Sequence, residues 1–317
     1  MRKKIVILFL ILATAFLACG FAPKEEKSYI KWVDCNVPYQ VLQRAYELDV
    51  KYHDSDKVEF DFEKSLAYLA TKNGNKFNVK TDLKRLGELE KALLNDKKID
   101  DFYGGNKYYK YYVESYEAIF SQFIGEYIDT STNEKCYGLK NYHPIAANFW
   151  YSHYDDFGVS RSYGFKRKHL GHDIMGSVGT PIVAVEDGII TDIGWNKYGG
   201  WRLGIRSLDN KRSYYYAHLR KGHPYAENIK NGDKVAAGQV IGYLGVTGYS
   251  AKEDVNMKCK PHLHIGMQLI FDECQIQGPK EIWIDMYQIT KFLSSNRAKV
   301  VKDGKNYKSI NLKRSID

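Results

Sequence analysis

The sequence lacks most of the short motifs that mark common catalytic and binding sites. It has five cysteines but no C-x-x-C pair, so a zinc site built from thiolates is not indicated. It has no H-E-x-x-H, which excludes the helical zincin arrangement, and no G-x-S-x-G, which excludes a serine nucleophile elbow. No RNA-binding or DNA-binding signature is present, so nucleic acid is not an expected partner.

The few cysteines leave the disulfide pattern open. Cys19 lies in the N-terminal apolar segment, and the other four are Cys35, Cys136, Cys259 and Cys274. In an oxidising compartment four cysteines can pair in three ways, and the sequence does not choose between them.

Residues 1–22 have the features of an export signal or membrane anchor. Basic residues at positions 2–4 precede an apolar run from Ile5 to Leu17 and then small residues. Three endings are open: a lipobox at residues 16–19, cleavage after Gly20, or an uncleaved span of a bilayer. Each of them places residues 23–317 outside the cytoplasm, as a lipoprotein, a membrane-anchored protein or a protein secreted to the cell wall.

The charge favours an anionic surface only weakly. The formal net charge is +9, and Arg2, Lys3 and Lys4 supply three of these charges, which leaves +6 on the rest. A basic exported protein is attracted to anionic lipids and to anionic wall polymers. Ordinary solubility explains the same charge equally well.

The N-terminal half is predicted to be helical. Residues 23–36 look like a tether, residues 37–130 like a small helical domain, and residues 131–149 like a linker. Two apolar stripes at three- and four-residue steps carry this prediction. The first follows a Thr81-Asp82 start and consists of Leu83, Leu86, Leu89 and Leu93. The second consists of Tyr109, Tyr112, Val113, Tyr116, Ile119, Phe120, Phe123 and Tyr127.

The following part has the pattern of short β-strands. Residues 179–195, 214–219 and 232–248 are short apolar runs separated by glycines, which predicts an all-β domain over residues 150–280. Residues 281–317 are predicted to form a C-terminal helix and a basic tail. The fold class is therefore α+β multidomain, with a helical N-terminal domain before an all-β domain.

Histidines are concentrated in the β domain. Six of the nine lie within 96 residues: His169, His172, His218, His223, His262 and His264. His262 and His264 are two apart in a predicted strand, so both side chains point to one face, with α-carbons ~6.6 Å apart. His169 and Asp173 would be ~13 Å apart along a straight strand, so the chain must bend there, and Gly171 supplies the freedom to bend. Imidazoles together with one carboxylate suit Zn²⁺ with an open position for water.

These motifs resemble a known family. "HLGHDIMGSVGTPIVAVEDGIITDIGWNKYGG", "YYYAHL", "IKNGDKVAAGQVIGYLGVTGYS" and "PHLH", in that order, are similar to the lysostaphin/LytM-type zinc peptidases that cut peptidoglycan peptides. The resemblance covers about residues 150–272. It implies that residues 150–280 form a peptidase domain with the antiparallel, duplicated-hybrid-like sheet of LytM.

The resemblance also implies roles for five residues. His169, Asp173 and His264 would bind zinc. His218 and His262 would be the pair that does not bind the metal, one accepting a proton from the attacking water and the other steadying the tetrahedral intermediate. Two free imidazoles suit general acid and base work near neutral pH, but the sequence does not identify the base.

Two features depart from the family pattern. Ten residues, Ala251 to Lys260, separate the T-G-x-S turn from P-H-x-H, where the family has a short link, and this loop is expected to form a wall of the cleft and to shift substrate preference. His172 stands where the family more often has an aliphatic residue. We expect it to face away from His169 and Asp173 as a supporting or structural histidine, and we expect His223 to be a surface residue.

The predicted function is that of an extracytoplasmic zinc endopeptidase that cleaves peptide cross-links or stem peptides of bacterial peptidoglycan. The alternative is a non-enzymatic LytM-like protein that binds a partner, forms a scaffold or activates an amidase. Peptidoglycan is the expected partner, the N-terminal segment is a possible link to the membrane, and the helical domain is a candidate surface for a protein partner.

Overall fold

The computed structural model of the protein describes residues 29–162 and 166–316. The described residues from Lys31 onward form one compact unit. A helical N-terminal region is followed by a mostly antiparallel β-sheet, which confirms the predicted fold class. The predicted export segment, residues 1–22, lies outside the described residues. Among the helices of the described residues, none is long and apolar enough to cross a membrane.

In the described part of the chain, five helices precede the sheet. They are α1 (Tyr39–Tyr52), α2 (Phe62–Asn73), α3 (Val79–Leu93), α4 (Asp100–Tyr103) and α5 (Lys107–Phe120). Side-chain caps fix several of their starts: the Asp61 carboxylate accepts the backbone N–H of Lys64 at 2.7 Å, and the Asn106 side chain accepts that of Tyr108 at 2.8 Å. Gly74 ends α2 in the left-handed conformation, with φ +63°.

The start of α3 differs from the prediction. The N-cap is Asn78, whose side chain accepts the backbone N–H of Thr81 at 3.1 Å, so Thr81 already lies in the first turn. Asp82 accepts the backbone N–H of Asn78 at 2.7 Å and so supports the cap from inside the helix. The buried members of the leucine stripe are Leu86, Leu89 and Leu93.

The second stripe does not continue as one helix. Helix α5 ends at Phe120, and Ile124–Asp129 form strand β1, so the prediction of helix through Tyr127 is wrong at its end. Strand β1 pairs with β2 (Glu134–Leu139) and with β17 (Lys313–Ser315) in a three-stranded sheet. The partner β17 is remote in sequence, and a local periodicity cannot report such pairing.

The central sheet has eight strands and carries the candidate site. Its order is β11-β8-β9-β10-β13-β6-β3, with β14 also paired to β13, and every pairing is antiparallel. The strands are β3 (Tyr151–His153), β6 (His172–Gly176), β8 (Gly188–Asn196), β9 (Gly200–Ser207), β10 (Arg212–Ala217), β11 (Lys234–Val235), β13 (His262–Leu269) and β14 (Ile282–Ile284). In β13 every residue except His264 is buried, as expected for a strand in the middle of a sheet.

Smaller pairings complete the β region. Strands β4 (Ser160–Ser162) and β5 (Lys166–Lys168) form one two-stranded sheet, and β7 (Pro181–Val183) and β12 (Val240–Tyr243) form another. Helix α6 (Tyr287–Leu293) follows β14.

The segments predicted as linker and tail are packed parts of the fold. Residues 131–149 contain β2 and the buried Tyr142 and Ala146. After α6, the strands β15 (Lys299–Asp303) and β16 (Asn306–Ile310) form a hairpin, and Val300, Tyr307 and Leu312 pack on the same apolar cluster as Tyr142. The segment predicted as a basic tail therefore includes a β-hairpin, whose apolar residues, spaced among its lysines, pack against the core. In the described part of the predicted tether, Val33 and Cys35 are buried.

A buried arginine joins the helices to the sheet. Arg212 of β10 makes two hydrogen bonds to the Glu186 carboxylate, at 2.9 and 2.8 Å, and donates to the Ala118 carbonyl of α5 at 2.7 Å. Tyr214 donates to the same carboxylate at 2.7 Å. The helical part and the β part therefore share a buried interior.

None of the three possible disulfide pairings forms. Within the described residues, the thiols of Cys35, Cys136 and Cys259 are free, and each pairing needs at least one of them.

Candidate metal centre

Three predicted residues meet at one point of the central sheet. Asp173 of β6 and His264 of β13 lie directly opposite each other in register, and His169 follows the end of β5. His169 Nε2 lies 2.8 Å from His264 Nδ1 and 3.0 Å from Asp173 Oδ1, and His264 Nδ1 lies 3.1 Å from the same oxygen. One nitrogen or oxygen atom from each side chain thus points into a common space.

Gly171 allows this approach by its size. A β-carbon at position 171 would lie 2.4 Å from His264 Cε1 and 2.5 Å from His264 Nε2, well inside van der Waals contact. The segment between His169 and Asp173 therefore passes directly over the His264 ring. The absence of a side chain at position 171 leaves room for that imidazole.

The donor set fits a zinc ion. Two imidazole nitrogens and a carboxylate oxygen are common zinc ligands at about 2.0–2.2 Å, which in a tetrahedron places ligand atoms roughly 3.3 Å apart. The three observed separations, 2.8, 3.0 and 3.1 Å, are slightly shorter, so the donor atoms would move apart by a few tenths of an ångström on binding. Within the described residues, His169, Asp173 and His264 form the only such group of three potential ligands.

The electrostatics of this cluster also favour a cation. Burial disfavours charge on His169, but hydrogen bonds and charges from Asp156 and Asp173 outweigh it and raise its pKa to about 9. Burial also opposes ionisation of Asp173, but hydrogen bonds from His169 and His264 hold the pKa of that carboxyl far below its usual range. The cluster therefore stabilises positive charge among its donor atoms.

Asp156 supports His169 from outside the cluster. His169 Nδ1 lies 3.0 Å from the Asp156 carbonyl oxygen and 3.3 Å from its carboxylate, so the ring is held in the orientation that aims Nε2 inward. Arg161 donates to the same carboxylate at 2.8 Å. Burial raises the pKa of Asp156, but hydrogen bonds from His169 and His172 outweigh this and lower it to about 2. Sequence reasoning missed Asp156, because no spacing motif marks a residue in the connection between β3 and β4.

His218 and His262 lie beside this cluster. Their ring centroids are 4.8 Å apart, and His262 Nε2 lies 4.0 Å from Asp173 Oδ1. His218 Nδ1 lies 2.8 Å from the Thr247 carbonyl oxygen, and His262 Nδ1 lies 2.8 Å from the Lys260 carbonyl oxygen. A carbonyl oxygen only accepts hydrogen bonds, so we assign the proton of each neutral ring to Nδ1, which leaves Nε2 able to accept a proton.

The backbone conformation of His218 fixes the orientation of its side chain, and burial keeps its ring neutral. Its φ of +60° lies in the left-handed region, a costly conformation that orients the side chain just past the end of β10. Burial, together with the nearby His262 and His264 rings, lowers the pKa of His218 to about 3. The imidazole is therefore neutral at neutral pH.

Two other histidines lie outside this group. His172 is fully buried, and its Nε2 lies 3.0 Å from His153 Nδ1 on the side of β6 away from Asp173. His223 is half-buried, stacks on Tyr243 and contacts the Asn306 side chain at 2.8 Å. Neither ring is in the triangle of potential ligands.

The ten-residue insertion borders the same histidine pair. Asp254 in this loop accepts hydrogen bonds from Trp201 Nε1 at 2.9 Å and from the Gly222 backbone N–H at 2.8 Å, so the loop is tied to the body of the sheet. At its other end Cys259 Sγ lies 3.9 Å from His262 Nδ1.

Known proteins share this arrangement of sequence motifs. The pattern of Peptidase family M23 matches residues 167–275. The chain is 40% identical over 124 residues to the L-Ala–D-Glu endopeptidase of Bacillus subtilis, covering 39% of this chain and 36% of that protein. It is 40% identical over 97 residues to lysostaphin of Staphylococcus simulans, covering 30% of this chain and 17% of that protein. The chain thus spans about a third or less of the length of these two relatives.

A solved structure extends the likeness beyond the matched segment. The crystal structure of the Ruminococcus gnavus protein named lytM superposes with a TM-score of 0.53 at 25% identity, and the match covers 83% of this chain and 94% of that one. The shared fold therefore includes much more than residues 167–275.

Proposed function

We propose, from the premise that residues 167–275 form a domain of peptidase family M23, that the chain is a zinc-dependent endopeptidase acting on bacterial peptidoglycan. The expected targets are peptide cross-links or stem peptides. The observation that carries the proposal is the meeting of His169, Asp173 and His264 at 2.8–3.1 Å beside two further buried histidines. The names of relatives support this proposal: one is an L-Ala–D-Glu endopeptidase, and a Vibrio cholerae relative, 35% identical over 98 residues, is a peptidoglycan DD-endopeptidase.

The five residues divide into three that would bind the metal and two that would take part in proton transfer and in stabilising the intermediate. His169, Asp173 and His264 would hold zinc, which when bound acidifies a water molecule and polarises a peptide carbonyl. One of His218 and His262 accepts a proton at Nε2 from the attacking water and can return it to the leaving amine. The other would steady the negatively charged oxygen of the tetrahedral intermediate by a hydrogen bond from its Nε2, once that nitrogen carries a proton.

The alternative is a non-enzymatic protein that binds a partner, forms a scaffold or activates an amidase. It needs no general base and no complete set of ligands. All five positions are filled here, and their side chains lie together, which favours the enzyme.

We further propose that the protein acts outside the cytoplasm, as its substrate requires. The basic and apolar pattern of residues 1–22 supports export, with lipidation, cleavage and retention as a membrane anchor as the three routes. The helical region remains a proposed surface for a protein partner.

Two substitutions separate metal binding from catalysis. His264→Ala should lose both bound zinc and peptidoglycan cleavage, because it removes one of three ligands. His218→Ala should keep close to one zinc per chain and lose cleavage, because it removes only the proposed acid or base. Metal content would be measured by atomic absorption, and cleavage by the release of new amino groups from purified cell walls.

These outcomes also test the proposal itself. Zinc bound at one per chain by His264→Ala would contradict the ligand assignment. Zinc binding by the unaltered protein without cleavage of any wall type would favour the non-enzymatic alternative. Mass spectrometry of the released fragments would identify the bond that is cut.

A further inference from the structure

A single arginine beside the candidate metal centre is held between two tyrosine rings. The Arg167 guanidinium carbon lies 5.2 Å from the centroid of the Tyr198 ring and 5.3 Å from that of Tyr249. Arg167 also donates a hydrogen bond to the Tyr249 hydroxyl. Both rings stabilise the cation and restrict the side chain, so little rotamer entropy remains to be lost when it binds a ligand.

This guanidinium is linked to His218 through a shared aromatic neighbour. Arg167 is two residues before His169, so in an extended segment both side chains point to the same side. The Tyr249 ring also stacks on the His218 ring, with a centroid separation of 6.0 Å. One aromatic ring therefore separates Arg167 from a proposed acid or base of the reaction.

Within the described residues Arg167 forms no ion pair, whereas Arg161, its partner in the hairpin, forms two. Arg161 lies directly opposite Arg167 in the β4–β5 pairing, and like charges in such positions repel. Arg161 forms ion pairs with Asp156 at 2.8 Å and Asp173 at 3.4 Å. Among the residues that the structure describes, no carboxylate lies within ion-pair distance of Arg167. A partly exposed guanidinium fixed by aromatic rings suits a carboxylate ligand, which it can bind through two parallel hydrogen bonds.

We propose that Arg167 binds a free carboxylate of the substrate, on a residue next to or near the scissile peptide bond. The inference rests on the proposed peptidase function and narrows its substrate class. Stem peptides with acidic residues would be preferred over uncharged peptides such as glycine bridges.

The test uses two synthetic peptides that are identical except that one carries a carboxylate and the other the corresponding carboxamide near the scissile bond. The zinc-loaded protein should cleave the acidic peptide with a kcat/KM about tenfold to a hundredfold higher, the range for one charged hydrogen-bonding group. Arg167→Gln should remove this preference by raising the KM for the acidic peptide alone. Arg167→Lys keeps the charge without the paired geometry and should retain part of the preference.

Lys168→Gln is the matched control. Lys168 is the next residue of the same strand and is exposed, so its substitution removes one positive charge from the same hairpin on the opposite face. It should leave the preference unchanged. Zinc content and circular dichroism would establish that each variant is folded.

The result can be separated from that of the proposed function. Equal cleavage of both peptides by the unaltered protein, or a preference that survives Arg167→Gln, would overturn the carboxylate site and leave the peptidase standing. Where neither peptide is cleaved, calorimetric binding of both to the unaltered protein gives the answer: tighter binding of the acidic peptide that depends on Arg167 supports the site, and equal or no binding overturns it.

Discussion

The orientation of a ligand can depend on a residue that never touches the metal. Asp156 contacts the outward-facing nitrogen of His169 through both its carbonyl and its carboxylate, and Arg161 in turn fixes that carboxylate. Partners of this kind set the tautomer and the basicity of a ligating histidine.

We expect Asp156→Asn to weaken zinc binding by about 10- to 100-fold, because the amide keeps the size of the side chain but loses its charge. The measurement is competition for zinc with a chelator of known affinity. Asp155→Asn is the control, since Asp155 is the exposed neighbour and its loss changes the net charge equally. Unchanged zinc affinity in Asp156→Asn would show that the carboxylate has no part in holding His169.

At the scale of elements, the site depends on how closely three segments approach. The turn at Gly171 passes over the His264 ring, and the pairing of β6 with β13 places Asp173 opposite that histidine. A shift of either segment would change the distances between the donor atoms.

Gly171→Ala should therefore abolish stoichiometric zinc binding and destabilise the fold by about 1–3 kcal/mol, the usual cost of overpacking. Zinc content and urea unfolding would measure both effects. Gly87→Ala is the matched control: it lies inside α3, where a β-carbon meets nothing within 4 Å, and it should keep zinc and stabilise the protein by up to about 1 kcal/mol. Full zinc content in Gly171→Ala would mean that the backbone can move aside without loss of the site.

The same elements indicate what a sequence can predict. The H-x-H pair is recognisable because the two-residue period of a strand places both rings on one face. The H-x-x-x-D pair needs a bend, which Gly171 allows, and its role follows from the resemblance to the family. The order of motifs then supplied the family. Asp156, Arg167 and the pairing of β1 with β17 depend on contacts between segments remote in sequence, and no local pattern encodes them. The continued aromatic periodicity after Phe120 was misleading, because residues that alternate in a short strand can also match a helical stripe.

At the scale of the whole molecule, Arg212 links the helical region to the sheet through the buried Glu186 carboxylate and the Ala118 carbonyl. Removing the arginine leaves a buried carboxylate without its cation. Arg212→Ala should therefore destabilise the protein by about 3–5 kcal/mol in equilibrium denaturation. Arg206→Ala is the control, since Arg206 pairs with the largely exposed Glu273 and should cost about 0–1 kcal/mol. Equal losses in the two variants would contradict a special role for the buried pair.

The stability of the whole fold should also decrease at acidic pH. Burial, reinforced by the charge of Arg297, lowers the pKa of His143 to about 3, against about 6.5 in an unfolded chain. Between these values the unfolded state binds more protons than the folded state, so stability should fall as the pH drops from 6.5 towards 3, by at most about 1.4 kcal/mol per pH unit from this residue.

His143→Asn should reduce that slope, because the amide does not titrate and its oxygen can still accept the Ile145 N–H that His143 Nδ1 accepts at 3.1 Å. Urea unfolding between pH 7 and pH 4 would compare the two proteins. Identical slopes would show that His143 is not one of the groups responsible for acid unfolding.

The pairing of β17 with β1 has a consequence for biosynthesis. Tyr127 lies opposite Ser315 in this ladder, so during translation β1 has to wait for a segment almost two hundred residues further along the chain. Until then one edge of β1 has unpaired backbone N–H and C=O groups, which is the kind of edge that recruits other chains. A nascent chain that has not yet reached Lys313 would therefore expose an unpaired edge of β1, and the time needed to make β17 bears on aggregation of a region almost two hundred residues upstream.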